Sequence, residues 1–169
     1  MQRPDDPQRT TPLGMIRYSI EFYEAARAVD DAIGARPGYV IVAPVPAMYL
    51  IGHSIELSLK SFLLHKGTSL KSLRRKPLSH DLLGCLNSAI EKGLSNTIQV
   101  LEPRLGALQA LNNLYRSKEL NYIVTGEKDF PAFGLIQSLS FDLIEGLAPE
   151  VGYSGTPLDH TILPPNGSN

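Results

Sequence analysis

The stretch YLIGHSIELSLKSFLL, residues 49–64, decides the fold that the sequence predicts. Its apolar residues surround almost the whole circumference of a helix, which is typical of a helix buried at the centre of a domain. Pro46 suits the first turn of such a helix, because the N–H that proline lacks would have no partner there. Gly67 is placed to end the helix, so we predict a central helix from Pro46 to about His65.

A narrow polar stripe interrupts this apolar helix. His53, Glu56 and Lys60 follow one another at steps of three and four residues, so they project from one side of it. The stripe is either an internal network that fixes the helix register, in which a Glu56–Lys60 pair contributes roughly a few tenths of a kcal/mol, or the lining of a cleft that faces a ligand.

Apolar residues recur at helical spacing in four further segments, and turn or capping residues separate them. The first predicted helix begins at Pro12, behind the N-cap Thr11, and ends near Gly34, and the second runs from the N-cap Ser79 to about Lys92. The third covers 96–117 with a break near Glu102 and Pro103, and the fourth runs from Asp129 and Pro131 to about Ala148. Residues 35–46 are expected to form an extended connection, which allows a short strand at 40–42.

Both ends of the chain differ in composition from its middle. Residues 1–10 are polar and contain prolines, and the last residues are rich in Ser, Gly, Pro and Asn with few large apolar side chains. A chain of 169 residues has room for one ordinary domain. We therefore predict one helical domain over 11–152, with disordered tails at 1–10 and 153–169.

The overall composition narrows the classes of function. A formal net charge of −1 provides no general attraction for nucleic acid, so any polyanion site has to be local. The N-terminus lacks the basic and apolar runs of a signal peptide, and charged residues interrupt the longest apolar stretch, so no membrane association is expected. The single cysteine, Cys85, lies among leucines and is predicted to be a core residue, which fits a cytoplasmic protein.

The only dense basic cluster of the sequence lies in the connection after the central helix. It consists of Lys66, Lys71, Arg74, Arg75 and Lys76. The cluster is either a solvated loop or an electrostatic contact surface for RNA. Aromatic side chains that would stack on bases are missing from it, which weakens the second interpretation.

Two segments carry a resemblance to a known family. The central helix reads H-x-x-E-x-x-L-K-x-x-L over residues 53–63, and the sequence Leu78-Ser79-His80-Asp81-Leu82 follows after the basic connection. In order and spacing these segments resemble the HEPN superfamily of helical-bundle proteins, whose second motif reads G-H-D-L. Ser79 stands here in place of the glycine, and the resemblance covers roughly residues 47–125.

The resemblance implies an all-α, antiparallel up-and-down bundle of four to five helices that handles RNA or nucleotides, often as a dimer. Many members are metal-independent ribonucleases in which an arginine precedes a polar residue and, four to six positions later, a histidine. The matching residues here are Arg116, Ser117 and Asn121, so the histidine is missing. Since asparagine cannot titrate and arginine stays protonated, the pattern indicates a phosphate contact rather than a nuclease centre.

We therefore expect a non-catalytic module that binds nucleotide or RNA phosphate, and on the resemblance alone a homodimer. The expected ligand-binding residues are Arg116, Asn121, Tyr122, His53, Glu56, Lys60 and His80. No catalytic residue is assigned and no cofactor is expected. No metal ion is expected either, because His53 and His65 are too far apart along one helix to share an ion.

Several interpretations of these residues stay open. Tyr115 and Tyr122 either close the end of the bundle or stack on a base beside Arg116. His80 and Asp81 either cap a helix or contact a phosphate.

Two alternative functions also stay open. A divergent metal-independent endoribonuclease would need His53 or His80 near Arg116 to replace the missing base. Alternatively, the bundle is a protein-interaction partner in a toxin–antitoxin or nucleotidyltransferase system.

Overall fold

The computed structural model describes residues 9–39, 42–122 and 126–155, and these ranges are all-α. The helices are α1 (Pro12–Val29), α2 (Val45–His65), α3 (Leu70–Leu73), α4 (Leu82–Glu91), α5 (Arg104–Arg116) and α6 (Phe133–Glu150). A π-helical turn, Asp30–Gly34, extends α1, and a 3-10 turn, Leu94–Asn96, follows α4. The predicted all-α fold class is confirmed.

Helix α2 is the central element of the fold. It packs against α1, α4, α5 and α6, and twelve of its 21 residues are buried. The side chains of Ile55, Leu59 and Phe62 are fully enclosed in the apolar core that all these helices share. The prediction of a buried helix in this stretch is confirmed, and burial of its large side chains contributes about 1.5–3 kcal/mol each.

A cluster of buried serines lets α1, α2 and α6 approach closely. The hydroxyl of Ser19 lies 3.0 Å from that of Ser54 and 2.6 Å from that of Ser58. Ser54 in turn lies 2.9 Å from the hydroxyl of Ser140 on α6. Because the hydroxyls are partners for one another, these small polar residues are buried without loss of hydrogen bonding.

The helix starts show which capping predictions hold. Thr11 caps α1 as predicted, since its hydroxyl accepts a hydrogen bond from the N–H of Gly14 at 3.0 Å. The predicted cap at Ser79 is wrong, because Asp81 caps α4 by accepting from the N–H of Gly84 at 2.9 Å. The carboxylate of Asp81 is also stabilised by the positive end of the helix.

Other boundaries depart from the predictions. The predicted helical region 96–117 is correct only in its second half, because residues 97–103 are not helical and α5 begins after Pro103. Helix α3 was not predicted, and α6 begins at Phe133, a few residues after the predicted start. The sequence places the start of this helix at Asp129 and Pro131, whereas Ala132 holds the N-cap position, without a side-chain bond.

Some predictions lie outside the described residues, namely the tails at 1–8 and 156–169 and most of the allowed strand, at Val40 and Ile41. Tyr153, at the beginning of the predicted C-terminal tail, packs against the core.

Cys85 is fully buried, as predicted, and burial raises the pKa of its thiol to about 12. Among the described helices, none combines the length and apolarity needed to cross a bilayer.

The close approach of α4 to the preceding connection leads to a stability prediction. A Cβ atom added at Gly84 would collide with the backbone carbonyl of Pro77, which cannot move as a side-chain tip can. We expect Gly84→Ala to lower the free energy of unfolding by about 1–3 kcal/mol, measured by urea denaturation. Gly134→Ala is the matched control, because nothing lies within 4 Å of the added atom and helix propensity should add about 0.5 kcal/mol. Equal stability of both variants would contradict the described packing.

Candidate functional site

Glu56 is the centre of the polar stripe, and its side chain is almost completely buried, at 2% exposure. Lys60 donates to its Oε1 at 2.6 Å, and the hydroxyl of Tyr115 donates to its Oε2 at 2.6 Å. The backbone N–H of His80 donates to Oε1 at 3.2 Å. This single carboxylate therefore joins α2, α5 and the connection that precedes α4.

Two imidazoles approach the same carboxylate. Nδ1 of His53 lies 3.5 Å from Oε2 of Glu56 and 3.1 Å from the Tyr115 hydroxyl. Nδ1 of His80 lies 3.3 Å from the same Oε2. The His53 ring is further held between Tyr49, whose ring is parallel to it, and Phe22, which contacts it edge-on. Glu56 thus orients one half-buried and one exposed histidine.

The electrostatics of the site follow from this bonding. Burial raises the pKa of the Glu56 carboxyl. Three groups that favour the carboxylate outweigh burial and hold the pKa well below its ordinary value: His53 through its hydrogen bond, Lys60 through its charge and hydrogen bond, and the Tyr115 hydroxyl. Burial and the adjacent Glu56 charge raise the pKa of the Tyr115 hydroxyl. Glu56 is therefore ionised and Tyr115 is a permanent donor near neutral pH.

A cavity of about 180 Å³ lies beside this network, and we call it the tyrosine cavity. Its lining consists of Tyr49, His80, Tyr115, Lys118, Asn121 and Tyr122. The rings of Tyr49 and Tyr115 are stacked, with centroids 6.0 Å apart and planes inclined by 29°. Aromatic faces and a cation therefore meet in one small space.

The turn after α5 supplies the outer wall of the tyrosine cavity. Lys118 has a left-handed backbone, with φ of 64°, and its carbonyl accepts from the N–H groups of Asn121 and Tyr122. The turn brings these three residues to one face, and the side chain of Tyr122 is 68% exposed. His80 on the opposite side also has a positive φ, 53°, and Glu56 holds its backbone in that uncommon conformation.

Arg116 lies at the edge of the site rather than in the tyrosine cavity. Its guanidinium is 3.5 Å from a carboxylate oxygen of Asp81, the residue after His80, and its side chain is 64% exposed. Asp81 is itself fixed, because Asn112 donates to its Oδ1 at 3.2 Å and accepts from the N–H of Leu82 at 2.7 Å. The ion pair ties the end of α5 to the start of α4.

The structure therefore sorts the predicted site residues into three groups. His53, Glu56, Lys60 and His80 form one hydrogen-bonded network. Asn121 and Tyr122 line the tyrosine cavity together with His80, which belongs to both groups. Arg116 stands apart on Asp81. Of the open interpretations, Tyr115 turns out to be both a core residue and a network donor, and Asp81 is a cap.

Sequence reasoning left Tyr49, Lys118 and Asn112 out of the site. Tyr49 precedes His53 by four residues, so it continues the polar stripe by one helical turn, and this spacing was an available signal. Lys118 had no local signal, because only the turn after α5 brings it to the cavity. Asn112 lies within the apolar pattern of α5, where its bond to the α4 start could not be recognised.

No metal centre is formed in the part of the chain that the structure describes, since no three His, Cys, Asp or Glu side chains there are placed to hold an ion.

The residues of the basic cluster have different surroundings in the structure. Lys66 forms an ion pair with Glu150 at 2.5 Å, whereas Lys71, Arg74 and Arg75 line a separate, larger cavity.

The buried carboxylate predicts a specific pH dependence of stability. Since the folded-state pKa of Glu56 is lowered from 4.5, its contribution is present above that pH and is lost as the pH falls below it. We expect Glu56→Gln to lower the free energy of unfolding by about 3 kcal/mol at pH 7. The difference from wild type should shrink as the pH falls from about 4.5 towards 2.

Urea denaturation across this pH range measures both effects. Glu21→Gln is the control, because Glu21 forms an exposed i, i+4 pair with Arg17, and such pairs contribute only a few tenths of a kcal/mol, roughly. A pH-independent difference between Glu56→Gln and wild type would show that the charge of Glu56 does not stabilise the fold.

The site as a whole combines a buried, ionised carboxylate with an open aromatic cavity that carries a lysine and an exposed histidine. No protein-family model, no curated protein and no solved structure matches this chain.

Proposed function

We propose that this chain is a HEPN-like helical module that binds RNA through one base and its phosphate, without cleaving the strand. The observation that carries the proposal is the tyrosine cavity, in which stacked Tyr49 and Tyr115 lie beside Lys118 and His80. Tyrosine faces stack on bases of any sequence, and a lysine ammonium contacts phosphate as a point charge.

The size of the cavity favours part of a strand over an enclosed free nucleotide. Its 180 Å³ is below the range of about 300–1,000 Å³ that is typical of pockets enclosing a whole small molecule. One base or one phosphate group can enter, while the rest of the ligand remains outside. The exposed Tyr122 and Asn121 at the rim would then contact the adjoining nucleotide.

Arg116 supplies a second phosphate contact in this proposal. The Arg116 side chain is 64% exposed, whereas that of Asp81 is 16% exposed, and Asp81 keeps the donors Gly84 and Asn112 when the pair opens. A phosphate can therefore compete for the guanidinium at little cost and can accept two parallel hydrogen bonds from it. This role agrees with the phosphate contact that the sequence pattern around Arg116 implied.

The network behind the tyrosine cavity supports a binding function rather than a catalytic one. Glu56 has donors on both oxygens and stays ionised, so it has no proton to give. Tyr115 has a raised pKa and gives its hydrogen bond to Glu56, so it is a poor base. On the family resemblance alone we also propose that the module is a homodimer, and on its single, buried cysteine that it is cytoplasmic.

Binding of a fluorescently labelled single-stranded RNA at low salt tests the proposal. We expect Lys118→Gln and Tyr122→Ala each to weaken the affinity about tenfold, because each removes one phosphate or stacking contact. Lys118→Gln should also reduce the dependence of the affinity on salt by about one phosphate contact. Arg116→Ala should also weaken the affinity for RNA.

Two control variants match these changes in residue type and exposure. Lys92→Gln removes an exposed lysine that does not line the cavity, and Tyr18→Ala removes a tyrosine that is 57% exposed on α1. Equal losses in the control and site variants, or no RNA binding by the wild type, would show that the tyrosine cavity does not bind RNA.

A divergent endoribonuclease is the second candidate function, and one observation favours it. His80 lines the tyrosine cavity with a side chain that is 58% exposed, while its Nδ1 lies 3.3 Å from the ionised Glu56. A carboxylate that orients an accessible imidazole is the arrangement that general acid–base catalysis uses. His53 is less suited, because the rings of Tyr49 and Phe22 enclose it.

Incubation of single-stranded RNA with the purified chain and a chelator separates the two candidates. We expect no cleavage by the wild type, because His80 is the one imidazole among the described residues that line the cavity, and a single imidazole is insufficient to move both protons. Cleavage that is lost in His80→Gln but kept in His65→Gln, which changes an exposed histidine away from the cavity, would establish the nuclease instead.

A further inference from the structure

A second cavity of about 840 Å³ lies where the beginning of α1 meets the end of α2 and helix α3. We call it the α3 cavity, and the residues that matter for its chemistry are Pro12, Leu64, Leu70, Lys71, Arg74 and Arg75. None of the described residues lines both this cavity and the tyrosine cavity. Its volume falls within the range of about 300–1,000 Å³ that is typical of pockets for whole small molecules.

The wall of the α3 cavity is positively charged. Lys71, Arg74 and Arg75 line it from the basic connection, and no carboxylate is among the described residues of its lining. Lys66 does not contribute, because it pairs with Glu150 and packs over the ring of Phe62. Lys71 and Arg75 are exposed, so an anion can reach both cations without being stripped of all its water.

The floor of the same cavity is aliphatic. Leu64 and Leu70 are half-buried and pack against the core with their inner sides, and Pro12 at the start of α1 completes the apolar surface. No aromatic ring is among the described lining residues, so the cavity offers nothing on which a base would stack. A hydrocarbon chain, by contrast, gains about 0.8 kcal/mol for each buried CH₂ group.

We propose that the α3 cavity binds a small amphipathic anion, with an aliphatic chain on Leu64 and Leu70 and a phosphate or carboxylate group on Lys71 and Arg75. The juxtaposition of an aliphatic floor with guanidinium and ammonium groups selects against neutral hydrocarbons, which leave the cations unused. The same combination selects against inorganic anions, which leave the aliphatic floor in contact with water. The site is independent of the tyrosine cavity and does not rest on its proposed function.

Isothermal titration calorimetry with the full chain tests this site with four probes below their aggregation concentrations. Octyl phosphate and octanoate should bind, and their relative affinities decide which head group the cations prefer. Octanol and inorganic phosphate should each bind at least about tenfold more weakly than octyl phosphate, because each lacks one half of the interaction.

Paired charge reversals show whether the cations of this cavity are responsible. Lys71→Glu with Arg75→Glu should weaken octyl phosphate binding at least about tenfold. Lys92→Glu with Arg36→Glu changes the net charge equally at exposed positions outside the cavity and should leave the affinity unchanged. Leu70→Gln should weaken octyl phosphate binding while inorganic phosphate binding stays as it was.

Two results would overturn the site. One is equal loss in the two charge-reversed pairs, which would mean that only the overall charge attracts the anion. The other is octyl phosphate binding no more tightly than inorganic phosphate or octanol, which would mean that the cavity does not use its floor and its cations together. Circular dichroism of each variant checks that the loss is not unfolding.

Discussion

The buried carboxylate of Glu56 is the constraint on which the rest of the site depends. Burying an ion costs several kcal/mol, roughly, unless partners replace the lost water. Lys60, Tyr115 and the backbone of His80 are those partners. Because they belong to α2, α5 and the connection before α4, satisfying one charge fixes the relative positions of three parts of the chain.

This constraint makes the tyrosine cavity rigid on its inner side. Tyr115 gives its hydroxyl to Glu56 and presents its ring to the cavity beside Tyr49. His80 is held by two bonds to the same carboxylate in an uncommon backbone conformation. A ligand in this cavity would therefore meet aromatic and imidazole groups whose freedom is already lost, which would lower the entropic cost of binding. The outer residues, Lys118, Asn121 and Tyr122, have exposed side chains that still have to be ordered.

The connection between α2 and α4 serves two cavities of different chemistry. Its first part places Lys71 and Arg75 over an aliphatic floor, and its last residue before the α4 cap, His80, enters an aromatic cavity. The connection is anchored in the core through Leu73 and Leu78, and the backbone of its Pro77 packs against Gly84 of α4. The basic cluster is thus not a single electrostatic surface, because Lys66 is paired with Glu150 while Lys71, Arg74 and Arg75 line the α3 cavity.

The sequence by itself determined α1, α2, α4, α5, α6 and the stripe on α2, because helical periodicity and a cap such as Thr11 depend only on residues a few positions apart. It also placed Glu56, Lys60 and His53 on one side of a buried helix. These three and His80 are four of the seven expected site residues, and they meet in one network. Tertiary structure decided what lies opposite them. Asp81 rather than Ser79 caps α4 because Asn112 from α5 fixes its side chain. Lys118 reaches the tyrosine cavity, and Arg116 stays outside it, because of a turn whose position depends on how α5 packs against α2 and α4. No local pattern encodes such contacts between residues some sixty positions apart.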